Sequence, residues 1–344
     1  MKTILVTGGA GFFGGILKRE LLALGYRVIS IDICPDDDKH RNLLSRRVDI
    51  RNRKELDELF TSEQVDGVIH CAALLAHGTI TAADLRATNV EGTRNLLDAM
   101  RRTAVKQFVF TSTNCLWGEG MKRPIVEDDP PNPVEDYGRS KLEAERVIRE
   151  YTDLNTVIIR CPTIIDFGRL GLLAILFEFI DEGRRVWAVG GGRNRYQFIY
   201  AKDLASACTL ALDHPGSDTF HVGSDNVQTL AEIYEYVIRN SGSKSKVAPV
   251  PSGLAIPAMK LAYHLRISPL GPYHYKMIAE DFLFDTSRIK ERLGWRPTMT
   301  NEEMLWRAYE YYSKNRREIE SRRDVSAHRK AAHMGVIRLL KWVS

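Results

Sequence analysis

The hydrophobic and polar positions of the first half of the chain alternate between two patterns. Short β-branched apolar runs are followed by amphipathic stretches with the spacing of a helix. The apolar runs predict strands at Thr3–Thr7, Arg27–Ile31, Arg47–Asp49, Gly67–Cys71, Gln107–Thr111 and Thr156–Arg160. The amphipathic stretches predict helices at Phe12–Leu24, Lys54–Phe60, Asp84–Arg102 and Tyr137–Tyr151. This alternation is typical of an α/β fold, and we expect a Rossmann-like doubly wound parallel sheet.

The pattern loosens after Arg160, where proline- and glycine-containing loops separate shorter elements. It predicts helices at Leu170–Asp181, Lys202–Leu212 and Leu230–Asn240 and strands at Gln197–Tyr200 and Thr219–Val222. The segment Pro249–Tyr275 is apolar and proline-rich, and we expect it to be irregular. We therefore divide the chain into a first domain at residues 1–165, a smaller C-terminal α/β lobe at 166–312 with some segments returning to the first domain, and a tail at 313–344.

The composition limits the classes of protein to which the chain can belong. Its 344 residues, 44% of them hydrophobic, suffice for one large core or two unequal lobes. The sequence predicts neither a membrane span nor a secretory signal. Its five cysteines are scattered and lack paired metal-ligand spacing, so we expect a cytoplasmic protein without a metal site.

The net charge of +5 is concentrated at the C-terminus. Residues 313–344 carry nine Lys and Arg and three Asp and Glu, a balance of +6, which leaves −1 for the rest. The basic balance therefore describes the tail and does not predict nucleic-acid binding by the core. Apolar residues are mixed with Arg338 and Lys341 near its end. This favours either an amphipathic helix on an anionic membrane surface or a helix that docks on the protein itself or on a partner.

A glycine-rich turn follows the first predicted strand and opens the first predicted helix. Gly8, Gly11 and Gly14 stand at three-residue spacings, which permit a tight turn, backbone approach to a pyrophosphate and close helix–strand packing. The helix N-terminus offers N–H groups and a positive dipole end to phosphates. Asp32 closes the second strand, where a carboxylate accepts ribose hydroxyls and repels a 2′-phosphate. The first domain is therefore predicted to bind NAD in preference to NADP.

Other candidate cofactor contacts lie at the start of the first helix and at the carboxyl ends of the strands. They are Phe12, Phe13, Asp49, Ile50, Ala72, Ala73, Thr111, Cys161 and Thr163. Acidic residues after Asp32 add negative charge near the ribose, namely Asp36, Asp37 and Asp38. Asn89 is predicted either to bend a helix and orient Lys141 through water or to be an ordinary polar helix residue.

A tyrosine and a lysine in the stretch "DYGRSK" supply the candidate chemistry. Tyr137 and Lys141 are one helical turn apart, so both side chains can face the same cavity. A tyrosine with its ordinary pKa of about 10 is a poor base, but a neighbouring ammonium and a positive nicotinamide ring favour the phenolate. Thr113, just past the fifth strand, can hydrogen-bond the same substrate oxygen. The set predicts hydride exchange at a hydroxyl-bearing carbon, with Tyr137 carrying the proton.

Several stretches together resemble the extended short-chain dehydrogenase/reductase family, of the NAD-dependent epimerase/dehydratase type that includes nucleotide-sugar epimerases. They are the glycine spacing, "VDI" at Val48–Ile50, "HCAAL" at His70–Leu74, "NVEGTRNLL" at Asn89–Leu97, "YGRSK", "FIYAKDLASA" and "FHVGSDN". The resemblance covers Lys2 to Tyr312. It implies NAD as the cofactor and a small-molecule substrate. It also implies a homodimer formed through the helices at Asp84–Arg102 and Tyr137–Tyr151.

The residues beside Thr113 bear on which reaction follows the hydride step. Family members that are 4,6-dehydratases have an Asp–Glu pair after the threonine, whereas this chain has Asn114 and Cys115, and an amide cannot act as the acid. Cys115 resembles the cysteine of sugar-nucleotide 3,5-epimerases, or it is a small buried residue. The loop "PTIIDFGRLG" offers no His or Lys as a second base. The resemblance therefore favours epimerisation at C4 of a nucleoside-diphosphate hexose through a transient ketone, with keto-sugar reduction and 3,5-epimerisation as alternatives.

The C-terminal lobe departs from the nucleotide-sugar pattern. Arg193 and Arg195 are candidate clamps for a diphosphate, with Thr113 and Asn114 near the sugar and Lys276 as a substitute for a further phosphate-binding arginine. A role as solvated loop charges is the alternative for the first two. The apolar stretch "SGLAIPAMKLAYHLRISPLGPYHYKM" favours a different class, an alcohol dehydrogenase for steroids or acyl ketones. A third alternative, an inactive NAD-binding scaffold, is disfavoured because the catalytic residues are present.

Overall fold

The computed structural model describes residues 1–76, 80–171, 173–265 and 278–321. Its strands, in chain order, are β1 (Thr3–Thr7), β2 (Arg27–Asp32), β3 (Leu43–Arg47), β4 (Gly67–His70), β5 (Gln107–Thr113), β6 (Asn155–Cys161), β7 (Thr163–Ile165), β8 (Val186–Val189), β9 (Phe198–Tyr200), β10 (Asp218–His221) and β11 (Val247–Val250). Its helices are α1 (Phe12–Ala23), α2 (Arg53–Ser62), α3 (Ala82–Arg86), α4 (Gly92–Arg101), α5 (Asp136–Arg149), α6 (Leu173–Asp181), α7 (Ala201–Ala211), α8 (Leu230–Ser241), α9 (Ser252–His264), α10 (Ser287–Leu293) and α11 (Asn301–Ser321).

Seven strands form one parallel sheet in the order β10-β6-β5-β4-β1-β2-β3. The predicted doubly wound sheet is therefore confirmed. The strand order reverses between β1 and β4, and a ligand crevice opens outside the carboxyl ends of the strands at such a reversal. The glycine turn after β1 and the segments after β4, β5 and β6 all meet at this edge.

Helices cover both faces of the sheet. On β1, Leu5 joins the core formed with α2, α4 and α5, whereas Ile4 and Val6 join the core formed with α1 and α7. Successive residues of a strand point to opposite faces, so β1 is apolar throughout because both of its faces are buried.

Two elements of the first domain differ from the sequence prediction. The third strand is β3 at Leu43–Arg47, not Arg47–Asp49, because the half-buried edge segment "LLSRR" pairs with β2 while Asp49 lies in the turn beyond it. The helix expected at Asp84–Arg102 begins two residues earlier, where Thr81 and Asp84 form a capping box. A π-helical turn at Ala87–Glu91 interrupts it between α3 and α4.

The prediction that Pro249–Tyr275 is irregular is wrong for its described part. Pro249 and Val250 are the last two residues of β11, which pairs in parallel with β8. Helix α9 follows at Ser252–His264 and contains Pro257. The two-stranded sheet has only edge strands, where a proline such as Pro249 is tolerated. Residues 266–275 lie outside the described residues.

A third core is built largely from residues after Ile165, together with Leu116, Trp117 and Ile125, while other C-terminal segments complete the central sheet. Strand β10 lies beside β6, and Trp295 is 1% exposed in the core with α7, its ring N–H donating to the Asp203 carbonyl at 2.9 Å. Helix α11 continues through residue 313, where the tail was expected to begin, and Arg316 pairs with Asp181 of α6 at 2.7 Å. No helix within the described ranges has the length and apolar character needed to span a bilayer. The amphipathic end of the tail lies outside those ranges and stays a prediction.

Candidate active site

The glycine turn between β1 and α1 has the shape that a dinucleotide diphosphate requires. Gly8 has a φ of +73°, and its N–H donates to a carbonyl of β2 at 2.8 Å. A Cβ on Gly14 would lie 2.1 Å from the Gly8 carbonyl oxygen, so only glycine allows α1 to pack there. A Cβ on Gly11 would meet only that same oxygen, at 3.0 Å, so its outer side is open to a phosphate. Phe12 and Phe13 begin α1, which follows the glycine turn directly, and a helix N-terminus at such a turn suits a phosphate.

Asp32 stands where an adenosine ribose would bind, at the end of β2. Its carboxylate accepts one backbone N–H of the glycine turn, at 3.1 Å, and one of the following loop, at 2.9 Å. The neighbouring acids contribute less charge than the sequence suggested, because the buried Lys18 pairs with Asp36 at 2.5 Å and with Asp38 at 2.9 Å. The preference for NAD over NADP therefore rests mainly on Asp32.

The remaining cofactor candidates of the first domain occupy different settings. Hydrogen bonding and the charge of Arg51 hold the pKa of the Asp49 carboxyl below its usual value. Ile50 is buried against α4, and the Ala72 N–H donates to the hydroxyl of the last residue of β1 at 3.1 Å. Ala73 is exposed at the carboxyl end of β4. These positions line the crevice edge, and their contacts with a cofactor stay predictions.

Three predicted catalytic side chains meet where β5 ends and α5 begins. The side chains of Tyr137 and Thr113 share a hydrogen bond, and Tyr137 is half-buried. Lys141 is 3% exposed; its Nζ donates to the Thr111 carbonyl at 2.8 Å and lies 3.8 Å from the centre of the Phe110 ring. One turn of α5 thus brings a phenol and an ammonium to the same strand end, as the spacing predicts.

The surroundings of Tyr137 act on its pKa in both directions. Burial raises the pKa of the phenol, and so do the thiols of Cys115 and Cys161. The guanidinium of Arg169 and the hydrogen bond with Thr113 lower it. Arg169 therefore contributes a positive charge near the phenol, in addition to the ammonium and the nicotinamide ring that the sequence led us to expect.

Arg169 was not among the predicted site residues. It lies in the loop after β7, half-buried, with its guanidinium carbon 5.9 Å from the centre of the Phe12 ring at the start of α1. Burial lowers its pKa, while Tyr196, Cys161 and Tyr137 raise it. The sequence offered one signal for it, since it is the only cation in the loop "PTIIDFGRLG".

Asn89 is placed by the π-helical turn, where it is 1% exposed. Its amide donates to the Leu74 carbonyl and to the Ser140 hydroxyl, both at 3.0 Å, and its amide oxygen accepts the Leu74 N–H at 2.7 Å. Ser140 immediately precedes Lys141. A π-turn in a helix frequently marks a functional site, and here it ties α5 to the loop after β4.

A hydrogen-bonded chain connects the catalytic strand ends to the C-terminal lobe. The Asn114 amide donates to the Tyr196 hydroxyl at 3.0 Å, and that hydroxyl lies 2.8 Å from the Thr163 hydroxyl. Tyr196 is 7% exposed and was not among the predicted site residues. It reaches the site through a contact between segments more than 80 residues apart, which no local sequence pattern reveals.

Cys115 and Cys161 flank the catalytic tyrosine. Cys115 is half-buried, and a Cβ on Gly138 would lie 2.2 Å from the Cys115 carbonyl oxygen, so a glycine is required where α5 approaches it. The Cys161 thiol is buried and donates to the Ser112 carbonyl at 3.3 Å. Burial raises the pKa of Cys161 to about 12, so that thiol is protonated at neutral pH.

The predicted phosphate clamps lie on the surface next to Tyr196, and their contact with a diphosphate stays a prediction. Arg193 and Arg195 are both exposed, on either side of Asn194, which is buried. Successive residues of an extended chain face opposite sides, so Arg195 and Tyr196 point in different directions. Lys276 lies outside the described residues.

Comparisons with known proteins agree with the parallel sheet and the glycine turn described above. Residues 4–223 match the model of the family described as "NAD dependent epimerase/dehydratase family". The chain is 35% identical to the uncharacterized protein y4nG of Sinorhizobium fredii over 92% of its own length and 80% of that protein. It is 29% identical to UDP-glucose 4-epimerase 4 of Oryza sativa subsp. japonica over 71% of its length and 78% of that protein. Among solved structures, UDP-glucose 4-epimerase of Thermotoga maritima with UDP-glucose superposes with a TM-score of 0.73 at 26% identity, covering 91% of this chain and 99% of that one.

Proposed function

Because the chain belongs to the NAD-dependent epimerase/dehydratase family, within the extended short-chain dehydrogenase/reductases, we propose that it inverts C4 of a nucleoside-diphosphate hexose. The family makes it an NAD-dependent enzyme, and the glycine turn and Asp32 suit that cofactor. The inversion at C4 and the identity of the sugar nucleotide go beyond the family. They are supported by likeness to UDP-glucose 4-epimerases and by the residues around Tyr137.

The proposed reaction is redox-neutral over one cycle. Bound NAD supplies the hydride acceptor and, later, the hydride donor. Tyr137 takes the proton of the C4 hydroxyl as the C4 hydrogen leaves with its electron pair, and the sugar becomes a 4-ketone. After the ketone has turned over, hydride returns to its other face and Tyr137 gives the proton back to the oxygen.

Neighbouring residues assist that proton transfer. The Thr113 hydroxyl, which is bonded to Tyr137, is within reach of the same substrate oxygen. Burial has the largest influence and raises the pKa of the Tyr137 phenol above its ordinary value, while the charge of Arg169 opposes that rise only in part. Burial lowers the pKa of Lys141 to about 8, so its ammonium is still the main form at neutral pH and can donate to a bound cofactor.

The observation that carries the choice of reaction is the Asn114 side chain beside the catalytic threonine. It is 2% exposed, and its amide is committed to the Tyr196 hydroxyl. An amide N–H is far too weak an acid to protonate a leaving hydroxide, so elimination of water from the 4-keto sugar lacks its acid here. This favours return of hydride to the ketone, with proton exchange at C3 and C5 through Cys115 as the alternative.

A panel of nucleotide sugars tests the proposal. Uridine-, guanosine-, cytidine- and thymidine-linked hexoses would be incubated with the full-length chain, with product analysis by chromatography and absorbance at 340 nm for NADH. We expect one 4-epimer to form without net NADH. Net NADH from a steroid or long-chain alcohol, with every sugar nucleotide unchanged, would overturn the proposal.

Solvent deuterium separates C4 inversion from chemistry at C3 and C5. Epimerisation through Cys115 would remove and return protons on carbons beside the ketone, so it would place deuterium there in D₂O. Hydride return at C4 places none. The matched variant is Cys115→Ser, which we expect to keep turnover within about threefold, because it keeps a small side chain at that position.

The homodimer is also carried forward as a proposal. Exposed ion pairs join the helical surfaces expected at the interface, with Arg86 and Glu143 3.0 Å apart and Arg94 and Glu150 3.0 Å apart. Light scattering coupled to size exclusion would give twice the chain mass. A single chain mass at micromolar concentration would contradict it.

A further inference from the structure

A buried carboxylate lies one helical turn beyond Lys141 on the same face of α5. Glu145 is fully buried, and it follows Lys141 by four residues, as Lys141 follows Tyr137. Residues four apart on a helix are neighbours on its surface. The face of α5 that carries the catalytic pair therefore continues directly into this carboxylate.

Both oxygens of Glu145 are bound by side chains of the central strands. Arg160 of β6 donates to Oε1 at 3.0 Å and to Oε2 at 2.7 Å, and Ser112 of β5 donates to Oε1 at 2.7 Å. Arg149 of α5 adds a bond to Oε2 at 3.1 Å from the surface. Ser112 and Arg160 are direct partners in the pairing of β5 with β6. The carboxylate thus connects α5 to β5 and β6 at this one pair of neighbouring residues.

The Ser112–Arg160 pair lies next to the end of β5, where the side chains of Tyr137 and Lys141 meet. Ser112 lies between Thr111, whose carbonyl accepts the Lys141 ammonium, and Thr113, whose hydroxyl bonds Tyr137. Burial acts to raise the pKa of Glu145, but the hydrogen bonds and charge of Arg160, with Ser112, hold it below its usual value. Glu145 is therefore a carboxylate throughout the neutral range.

A buried ion pair is weak evidence for stability, because desolvation of both charges offsets their attraction, and a structural or switching role is the alternative explanation. We propose that Glu145 is a positioning residue that holds the catalytic face of α5 against β5 and β6 and keeps the Lys141 side chain in its charged form. The inference deepens the role given to Lys141 under the proposed function. It does not depend on which sugar is the substrate.

Several groups face Lys141 from the elements packed around it. His70 and Cys71 approach from the end of β4, Cys161 from β6, and Glu145 from α5. Burial lowers the pKa of His70 to about 3 and raises those of Cys71 and Cys161 to about 12, so all three are neutral near pH 8. Glu145 is then the negative charge in this set when the Lys141 ammonium titrates.

The test is the pH dependence of NADH binding to the full-length chain, measured by the fluorescence of bound NADH from pH 6 to 10. The ammonium form exists below the pKa of Lys141, about 8, so we expect affinity to fall as the pH rises through that value. Glu145→Gln removes the negative charge and should move the fall to lower pH by about one unit. Arg160→Gln removes hydrogen bonds and a charge that hold the pKa of Glu145 low, so Glu145 takes up a proton more readily and the fall in NADH affinity should also move to lower pH.

Controls separate this role from a loss of folding. Asp203→Asn alters another buried carboxylate, which lies in α7 and accepts a hydrogen bond from the Thr298 hydroxyl at 2.6 Å. This variant should leave unchanged the pH at which NADH affinity falls. Lys141→Met should abolish the fall, and a fall that persists would refute the role of Lys141 itself. If circular dichroism shows that the Glu145→Gln variant does not fold, the inference is judged by the direction in which Arg160→Gln shifts the fall in NADH affinity. The inference is wrong if neither variant shifts the fall in NADH affinity, or if Arg160→Gln moves it to higher pH.

Discussion

The residues that we propose to hold the cofactor and those that we propose to face the substrate, here called the cofactor side and the substrate side, are built in different ways. On the cofactor side, the glycine turn, Asp32 and the Tyr137–Lys141 turn lie within single strand–helix junctions of the central sheet. On the substrate side, Tyr196 comes from the C-terminal lobe and meets Asn114 and Thr163 only through tertiary packing. The cofactor side is therefore determined by local sequence, and the substrate side by long-range contacts.

The difference extends to packing. The cofactor side lies between the two cores that bury both faces of the sheet, whereas Tyr196 belongs to a third core together with Trp117 and Phe284. A backbone turn that binds a cofactor must be rigid, and the two cores around the sheet hold the glycine turn in place. Because the two sides pack in separate cores, a change around Tyr196 is expected to leave the glycine turn undisturbed.

The largest effect is expected at the shared boundary of the two sides. Tyr137→Phe removes the proton carrier, so turnover of the responsive sugar nucleotide should fall at least about 100-fold while NADH binding persists. The matched control is Tyr151→Phe, on the residue beyond the last turn of the same helix, whose hydroxyl bonds Asp98 at 2.7 Å. Undiminished turnover by Tyr137→Phe would remove this residue from the mechanism.

A substitution in the glycine turn tests whether the cofactor side is as inflexible as its geometry indicates. Gly14→Ala places a Cβ 2.1 Å from the Gly8 carbonyl oxygen, so the backbone must shift. We expect NADH affinity to fall about tenfold or more and stability to drop by about 1–3 kcal/mol. Gly253→Ala is the control, since its added Cβ meets no atom within 4 Å. Equal NADH affinity in both variants would show that the turn tolerates a side chain.

Asp32→Asn sharpens the assignment of cofactor preference. It removes the charge and leaves one side-chain oxygen, so one of the two backbone N–H donors keeps its acceptor, and the side-chain shape is retained. NADH affinity should fall about tenfold, and the preference over NADPH should narrow, because a charged hydrogen bond is worth about 1.5–3 kcal/mol. Asp37→Asn, at an exposed neighbour, should change neither value. An unchanged ratio of the two affinities in Asp32→Asn would move the source of discrimination elsewhere.

The smallest effect is expected on the substrate side. Tyr196→Phe deletes the hydroxyl between Asn114 and Thr163, so KM for the sugar nucleotide should rise about threefold to tenfold with little change in NADH affinity. Tyr234→Phe, at a half-buried tyrosine of α8, serves as the control. A fall in NADH affinity with unchanged KM would assign Tyr196 to the cofactor side.

The sequence predicted the parts of the molecule that repeat a local pattern. The family, the parallel sheet and NAD as cofactor are confirmed, because apolar strands, glycine spacing and helix periodicity are short-range features. The edge strand β3 was misplaced because "LLSRR" is only half-buried and carries a weak apolar signal. Helix α9 was taken for irregular chain because Pro249 and Pro257 interrupt its pattern, although β11 and the helix accommodate them. Arg169 and Tyr196 required the folded structure, since each acts on residues distant in sequence.

Retention of hydrogen at C4 tests the central claim most directly. The 4-deuterated form of the responsive nucleotide hexose would be converted in ordinary water, and the product examined by mass spectrometry and NMR. Hydride that leaves and returns within one bound cofactor predicts a 4-epimer with deuterium still at C4 and no label lost to solvent. Loss of that deuterium to water, or its accumulation in free reduced cofactor at the rate of product formation, would contradict the account.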